Sequence, residues 1–217
     1  MSGTARPKRT YDGSGRRTQA ERTRARVVAA ATRVFLQHGY VGATIPAIAT
    51  EAGVALQTVY RAAPGKAGLL SAAVAAAVAG GSDRADVPVE ERPAIRAVIE
   101  EPDPVQQLRL YAHTQPGIWA RVGPLLRVLD TAAASEPELR RVQSEQATQR
   151  HAGLARFARL LEGRGALRED LTPARAADLI VTLGSLATYD SLVTTLGWSH
   201  DEYEDWLADT LAHALLR

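Results

Sequence analysis

Apolar positions in the first third of the chain keep to helical spacing. Over 19–38, Val27, Ala31, Val34 and Phe35 fall on one stripe, and Gly39 supplies a C-terminal stop. Ile45, Ile48, Ala49 and Ala52 then recur at i, i+3, i+4 and i+7, and Thr44 ahead of them offers a hydroxyl to the orphan amides of a helix start. Gly53 suits the left-handed backbone of a tight turn, Val54 plugs the corner, and a second short helix begins at Ala55. There Ala55 and Val59 are expected to face inward, leaving Gln57, Thr58 and Arg61 together on the opposite face. Two short helices joined at such a turn spell a helix-turn-helix, and the outward polar trio has the residue types that read base edges in a major groove.

Beyond it, Pro64 and Gly65 break the pattern, and Lys66 opens an Ala-rich helix to about residue 79, closed by Gly80 and Gly81. Further helices are expected over 94–100, 105–113, 117–134 and 138–161, with Pro116, Pro124 and Pro137 marking starts or kinks. A final pair fits 173–196 and 200–216, separated by Gly197-Trp198-Ser199; Thr172 and Pro173 supply a cap and a first-turn proline. No segment reads as a strand. The expected fold class is all-α: an N-terminal three-helix helix-turn-helix domain plus a C-terminal helical domain.

At 217 residues and 46% apolar, the chain is long enough to bury a substantial core in one or two domains. It holds no cysteine, which excludes disulfides and thiol chemistry and suits a reducing cytosol. The basic N-terminus adjoins no apolar run of export type, and 67–80 is shorter than the ~20 residues of a bilayer span, so a cytoplasmic protein is expected. Net charge is only +2, but it is unevenly spread. Residues 1–66 carry eleven Lys or Arg against three acids, or +8, whereas 67–217 carry fifteen against twenty-one, or −6. A basic third around a helix-turn-helix is the footprint of phosphate binding, and an acidic remainder belongs away from DNA. The domain expectation is a basic disordered arm over 1–18, a DNA-binding domain over 19–65, and a helical ligand-binding and dimerisation domain over 66–217. Arg16 and Arg17, next to the first helix, are candidates to reach a groove.

Phe35, Gly39-Tyr40, Thr44, Ile48-Ala49, Ala52-Gly53-Val54, Thr58-Val59-Tyr60, Lys66 and Leu69-Leu70 together resemble the N-terminal signature of the tetracycline-repressor (TetR) family of transcriptional regulators. The resemblance is strong over 19–70; past that point only the all-helical layout, the length and the two terminal helices are similar. It implies a homodimeric, ligand-responsive DNA-binding protein, usually a repressor released from a palindromic operator by a small-molecule effector. It also implies a dimer interface built by the helices at about 173–196 and 200–216. The chain departs from the family pattern at Gln57, where glycine is common, at Ala63 for phenylalanine, at Gly65 for a capping serine, and at Ala67 for glutamate. Operator sequence is therefore not transferable.

Expected DNA contacts are Arg16, Arg17, Thr44, Leu56, Gln57, Thr58, Tyr60, Arg61 and Lys66. Tyr60 and Lys66 match phosphate-contacting positions of the family; Thr44 both caps its helix and lies near phosphate; Leu56 is either a thymine-methyl contact or partly buried. Candidate effector residues are Tyr111, His113, Gln115, Trp119, His151, Phe157 and Tyr189, aromatic and polar groups suited to an apolar pocket with a few orienting hydrogen bonds. Asp190 is either a dimer contact or a pocket anchor. No catalytic, metal or cofactor residues are expected: the five histidines form no i, i+3 or i+4 pair, and no Gly-x-Ser-x-Gly, Walker-type or dinucleotide fingerprint is present. The acidic row Glu202, Asp205, Asp209 reads as a solvated face. The rival to a ligand-released repressor is an effector-independent DNA-binding protein.

Overall fold

A computed structural model describes the backbone of residues 14–82 and 84–217 and the side chains of 18–82 and 84–217. Among the described residues the secondary structure is helical, without strands. The N-terminal unit comprises α1 (Ser14–Gly42), α2 (Ile45–Ala52) and α3 (Leu56–Ala62). α1 starts earlier than the expected residue 19. Its regular path ends where Gly39 takes φ 64° and ψ −178°, and one more turn carries it to Gly42. The first thirteen residues of the expected basic arm lie outside the described residues, as do the side chains of Arg16 and Arg17.

The cap chemistry of α2 follows the sequence closely. Thr44 is extended and its hydroxyl accepts from the Ala47 amide at 3.2 Å. At the other end Gly53 is left-handed (φ 62°, ψ 42°), which lets the Val54 amide reach back to the Ala49 carbonyl at 3.1 Å. Val27, Val34, Phe35, Ile48, Ala52 and Val59 close the small core between the three helices. Ala55, expected to face inward, is instead the exposed N-cap of α3, because the chain has to leave the turn before helical winding resumes.

α4 (Gly65–Ala79) leads into the body, followed by a single 3₁₀ turn at Val89–Glu91, α5 (Pro93–Glu100), α6 (Pro104–Ala133), α7 (Pro137–Gly163), α8 (Pro173–Leu183), α9 (Leu186–Tyr189), a π-helical stretch at Asp190–Thr195 and α10 (His200–Leu215). Two expectations are corrected. The helices foreseen over 105–113 and 117–134 are one continuous α6, which carries Pro116 and Pro124 in its interior. Proline removes one backbone bond, for Pro116 that to the Ala112 carbonyl, and pushes on the preceding turn; in that turn the Tyr111 carbonyl accepts from the Thr114 hydroxyl at 2.7 Å and more loosely from the Gln115 side-chain amide. Conversely, the helix foreseen over 173–196 is broken at Gly184, beyond which Ser185 caps α9 with its hydroxyl on the Thr188 amide. In the body α6 runs centrally, with α10, α4 and α7 packed on it, and α8 lies along α7. Ser199 and Glu202 form a capping box that starts α10, so one member of the acidic row has a structural task.

Gly53→Ala places a Cβ in the left-handed region with open space around it, so the cost is backbone strain alone. Chemical denaturation is expected to show a loss of about 1–2 kcal/mol. Gly153→Ala, in the interior of α7 with only the end of Arg156 nearby, is expected to gain about 0.5–1 kcal/mol in the same assay.

Candidate functional site

Two constellations stand out, one on the N-terminal unit and one inside the body. On the first, α3 projects from the α2–α3 turn with Leu56, Gln57, Tyr60 and Arg61 exposed and Thr58 half-exposed. Leu56 keeps 44% of its surface and Tyr60 52%, so neither is consumed by the core; Leu56 is thereby an outward residue rather than a buried one. Arg61 sits in the last turn of α3 and is exposed. A helix seven residues long that buries only Val59 presents almost its whole circumference outward, which a groove-inserting helix requires. Thr44 is exposed at the N-terminus of α2, its oxygen already engaged as the cap.

Lys66 has a different environment from the other expected DNA contacts. Its ammonium donates to the Tyr40 carbonyl at 2.8 Å and the Ala43 carbonyl at 3.2 Å, and lies 4.3 Å from the centroid of the Tyr40 ring. Those carbonyls belong to the turn at the end of α1, where helical partners run out. Lys66 therefore ties the start of α4 to the three-helix unit, with one N–H left for an anion. Pro64, the N-cap of α4, makes no side-chain cap bond, and Ala63 is buried at the join. The lysine supplies what the missing aromatic and cap do not.

Inside the body, Tyr111, Gln115 and Trp119 follow one another at one-turn spacing on α6, and all three are buried. Phe157 of α7 packs on Tyr111 with ring centroids 5.5 Å apart. Tyr189 is buried beside them, meets Tyr203 edge-on at 5.3 Å, and its hydroxyl pairs with His200 Nε2 at 2.9 Å. Five of the seven candidate effector residues are thus brought into one region. The other two are not: His113 is exposed and pairs with Glu204, and His151 is exposed and pairs with Asp178. Both point to the solvent side of their helices. Asp190 is ion-paired with Arg127 of α6 at 2.6 Å.

Two residues of this cluster escape a motif-based reading. Arg150 stacks over the Trp119 ring at 4.8 Å and donates to the Gly184 carbonyl at 2.6 Å, at the break between α8 and α9. Tyr203 is fully buried. The signals were present: Arg150 heads the α7 stripe that continues through Leu154, Phe157 and Leu161, and Tyr203 opens the α10 stripe of Leu207, Leu211 and Leu215. A charge or phenol in line with an apolar stripe is a polar group carried into a core. Burial raises the Tyr111 phenol above its ordinary value despite the opposing pull of Arg150, and burial together with neighbouring Tyr111 raises Tyr203 as well. Both remain neutral hydroxyl donors through the physiological range.

Helix-turn-helix geometry with an exposed α3 face is therefore joined to a body with an aromatic, partly polar interior. The profile of "Bacterial regulatory proteins, tetR family" matches residues 27–73, from the middle of α1 into the second half of α4. Over those residues the chain is similar to the tetR family of bacterial regulatory proteins. Members of this family are DNA-binding transcription regulators, often ligand-responsive, and generally not enzymes.

Solved structures extend the likeness to the whole fold. A protein from Mesorhizobium loti assigned to the TetR family of transcriptional regulators superposes with a TM-score of 0.70 at 23% identity, covering 92% of this chain and 99% of that one. NalD of Pseudomonas aeruginosa, the secondary repressor of the MexAB-OprM multidrug efflux pump, gives 0.64 at 20% identity over 91% and 98%. A protein from Saccharomonospora viridis assigned as a transcriptional regulator, solved in complex with choline, gives 0.66 at 20% over 92% and 99%. No curated protein matches the sequence.

Lys66→Ala removes two charge-assisted bonds to helix-end carbonyls and the contact with the Tyr40 ring. Thermal and denaturant unfolding are expected to show a loss of about 1–3 kcal/mol in the absence of any DNA.

Proposed function

We propose that the protein is a homodimeric, sequence-specific transcriptional regulator, a repressor released from a palindromic operator by a small-molecule effector. The observation that carries the DNA-binding part of the reading is the exposed α3 face of Leu56, Gln57, Thr58, Tyr60 and Arg61, set by the Gly53 turn on a basic domain. Gln57 has the amide geometry for adenine and Arg61 the guanidinium fork for guanine, while Thr44, Tyr60 and the remaining N–H of Lys66 are disposed toward phosphate. The basic arm, with Arg16 and Arg17, adds sequence-independent affinity along the backbone. The division at 19–65 and 66–217 gives the two halves their tasks, reading and sensing.

Dimerisation is supported by the terminal helices. The segment Pro173–Thr195 is long and apolar enough to pass for a membrane span, yet only 28% of its most apolar window is buried. Its break at Gly184 and the adjoining π-helical stretch suit a packed surface better than a bilayer. Leu196, at its end, keeps 66% of its surface exposed. A second copy covering this face by two-fold symmetry removes the exposed apolar area and sets two α3 helices about 34 Å apart, one major-groove turn. Such a protein acts in the cytoplasm, where its DNA lies.

The effector reading rests on the buried aromatic cluster of Tyr111, Gln115, Trp119, Phe157 and Tyr189, which is coupled to the DNA-binding unit. Arg121 of α6 donates to the Ala77 carbonyl at 3.2 Å in the last turn of α4, and Lys66 holds the other end of α4 to α1. Movement of α6 is carried along α4 to the spacing of the recognition helices.

Selection of bound fragments from random DNA, followed by footprinting, is expected to return a palindrome with half-sites one helical turn apart. Recovery of unrelated sequences with no two-fold pattern would overturn the reading. On the selected site Arg61→Ala is expected to weaken binding by about 1–3 kcal/mol, measured by fluorescence polarisation, with unfolding unchanged.

A further inference from the structure

Among the described residues four buried side-chain polar atoms have no hydrogen-bond partner: Gln107 Oε1, near the start of α6, and a group of three, the hydroxyls of Tyr111 and Tyr203 and the indole nitrogen of Trp119. The side chains of these three are more than nine-tenths buried, with relative exposures of 7%, 0% and 5%. A buried polar group left unpaired loses its water without replacement, so three in one place call for an explanation. They are neighbours. A Cβ built on Gly184 meets the Tyr111 hydroxyl oxygen at 3.1 Å and an Arg150 terminal nitrogen at 3.7 Å, Arg150 covers the Trp119 ring, and the polar ends of Trp119 and Tyr203 approach each other without completing a bond.

Arg150 completes the pattern. Among the described residues it makes no salt bridge with a carboxylate; its guanidinium, half-buried, donates to the Gly184 carbonyl. A guanidinium carries five N–H donors in a planar fork that matches a carboxylate two bonds at a time. The orphan groups beside it are two phenol hydroxyls and an indole N–H, each able to donate. This is a cluster of donors around one positive charge, set among aromatic rings, and what it lacks is an acceptor with a negative charge.

Resting on the ligand-responsive reading above, we propose that this cluster receives a small aromatic carboxylate, its carboxylate on Arg150 with hydrogen bonds from Tyr203 and Trp119, and its ring against Trp119, Phe157 and Tyr189. A quaternary ammonium is excluded by the same charge, in contrast to the choline held by the Saccharomonospora viridis protein. Binding draws Arg150 from the Gly184 carbonyl, and that carbonyl lies at the corner between α8 and α9, on the elements proposed to form the dimer face. Ligand and helix corner compete for one side chain.

The test uses the full-length protein with benzoate, phenylacetate, salicylate and cinnamate, each beside its amide, and with benzylamine and choline as cations. Thermal shift and tryptophan fluorescence titrations are expected to show at least one carboxylate binding ten-fold or more tightly than its amide, with no response to the cations. Arg150→Gln is expected to abolish the preference for carboxylate over amide. Tyr203→Phe, which removes only an unpaired hydroxyl and so keeps the fold, is expected to weaken the best carboxylate about five- to ten-fold. Equal binding of acid and amide, tighter binding of a cation, no response to any of the acids, or unchanged titrations in the Tyr203→Phe protein would overturn the proposal. Operator release is scored separately. A carboxylate that binds through Arg150 and leaves the protein on DNA refutes ligand release but not this site, whereas release by an uncharged compound indifferent to Arg150→Gln refutes this site but not ligand release.

Discussion

The Lys66 ammonium holds the two halves of the molecule in register. Helix α1 ends at a left-handed glycine, and past it the carbonyls of Tyr40 and Ala43 receive the lysine from α4. With both carbonyls bound to one charged side chain, α4 cannot swing away from the three-helix unit without breaking two charge-assisted hydrogen bonds and leaving a half-buried ammonium over the Tyr40 ring. The join needs this because Pro64 offers α4 no side-chain cap and Ala63 brings little surface to the interface. The angle at which α3 is presented therefore depends on a contact outside α3. This also separates Lys66 from the other expected DNA contacts: a phosphate there meets a side chain already occupied by its own fold, with one donor to spare.

The recognition unit was legible in the sequence because its determinants are local. Thr44, Gly53 and the i, i+3, i+4, i+7 spacing of Ile45 through Ala52 each act within a few residues, through a cap bond, a backbone conformation and a single apolar face. The misplacements in this region, the start of α1 and the inward Ala55, both occur at helix ends. There a residue's burial depends on how the chain leaves the element rather than on periodicity, and local pattern carries little information.

In the body the sequence misled where proline and glycine act against their usual sense. Pro116 and Pro124 suggested boundaries, but the residues on both sides of them bury against α10, α4 and α7, and tertiary packing outweighs the few kcal/mol that each interior proline costs. Gly184 lies in a continuous apolar pattern, so nothing in the periodicity marks it, yet its lack of a side chain lets Tyr111 and Arg150 approach the backbone closely. Among the effector candidates, which residue type alone suggests, Tyr111, Gln115, Trp119, Phe157 and Tyr189 lie in one region of the interior, whereas His113 and His151 are exposed. Those histidines fall on the solvent side by a rotation of one or two residues about the helix axis. Arg150 taken alone, a charged residue on a long polar helix, reads as surface; only its place in line with Leu154, Phe157 and Leu161 marks it as inward.

The body places its least satisfied polar groups where its helices are least regular. α6 carries two interior prolines, the α8 to α9 junction is broken, and the π-helical stretch that follows is a form found mostly at functional sites. Groups left unpaired at such a place lower the stability of the arrangement that leaves them so, which keeps a rearranged alternative within a few kcal/mol. A ligand that pairs with them supplies differential binding energy between the two arrangements, without which no ligand shifts an equilibrium. α6 then has the position to pass the change on: Trp119 faces Arg150, while two residues along Arg121 holds the last turn of α4 by the Ala77 carbonyl. Arg121 thus links the position of α6 to the last turn of α4. The other end of α4 is tied to the three-helix unit by Lys66, so α4 connects the aromatic interior of the body to the unit that presents α3.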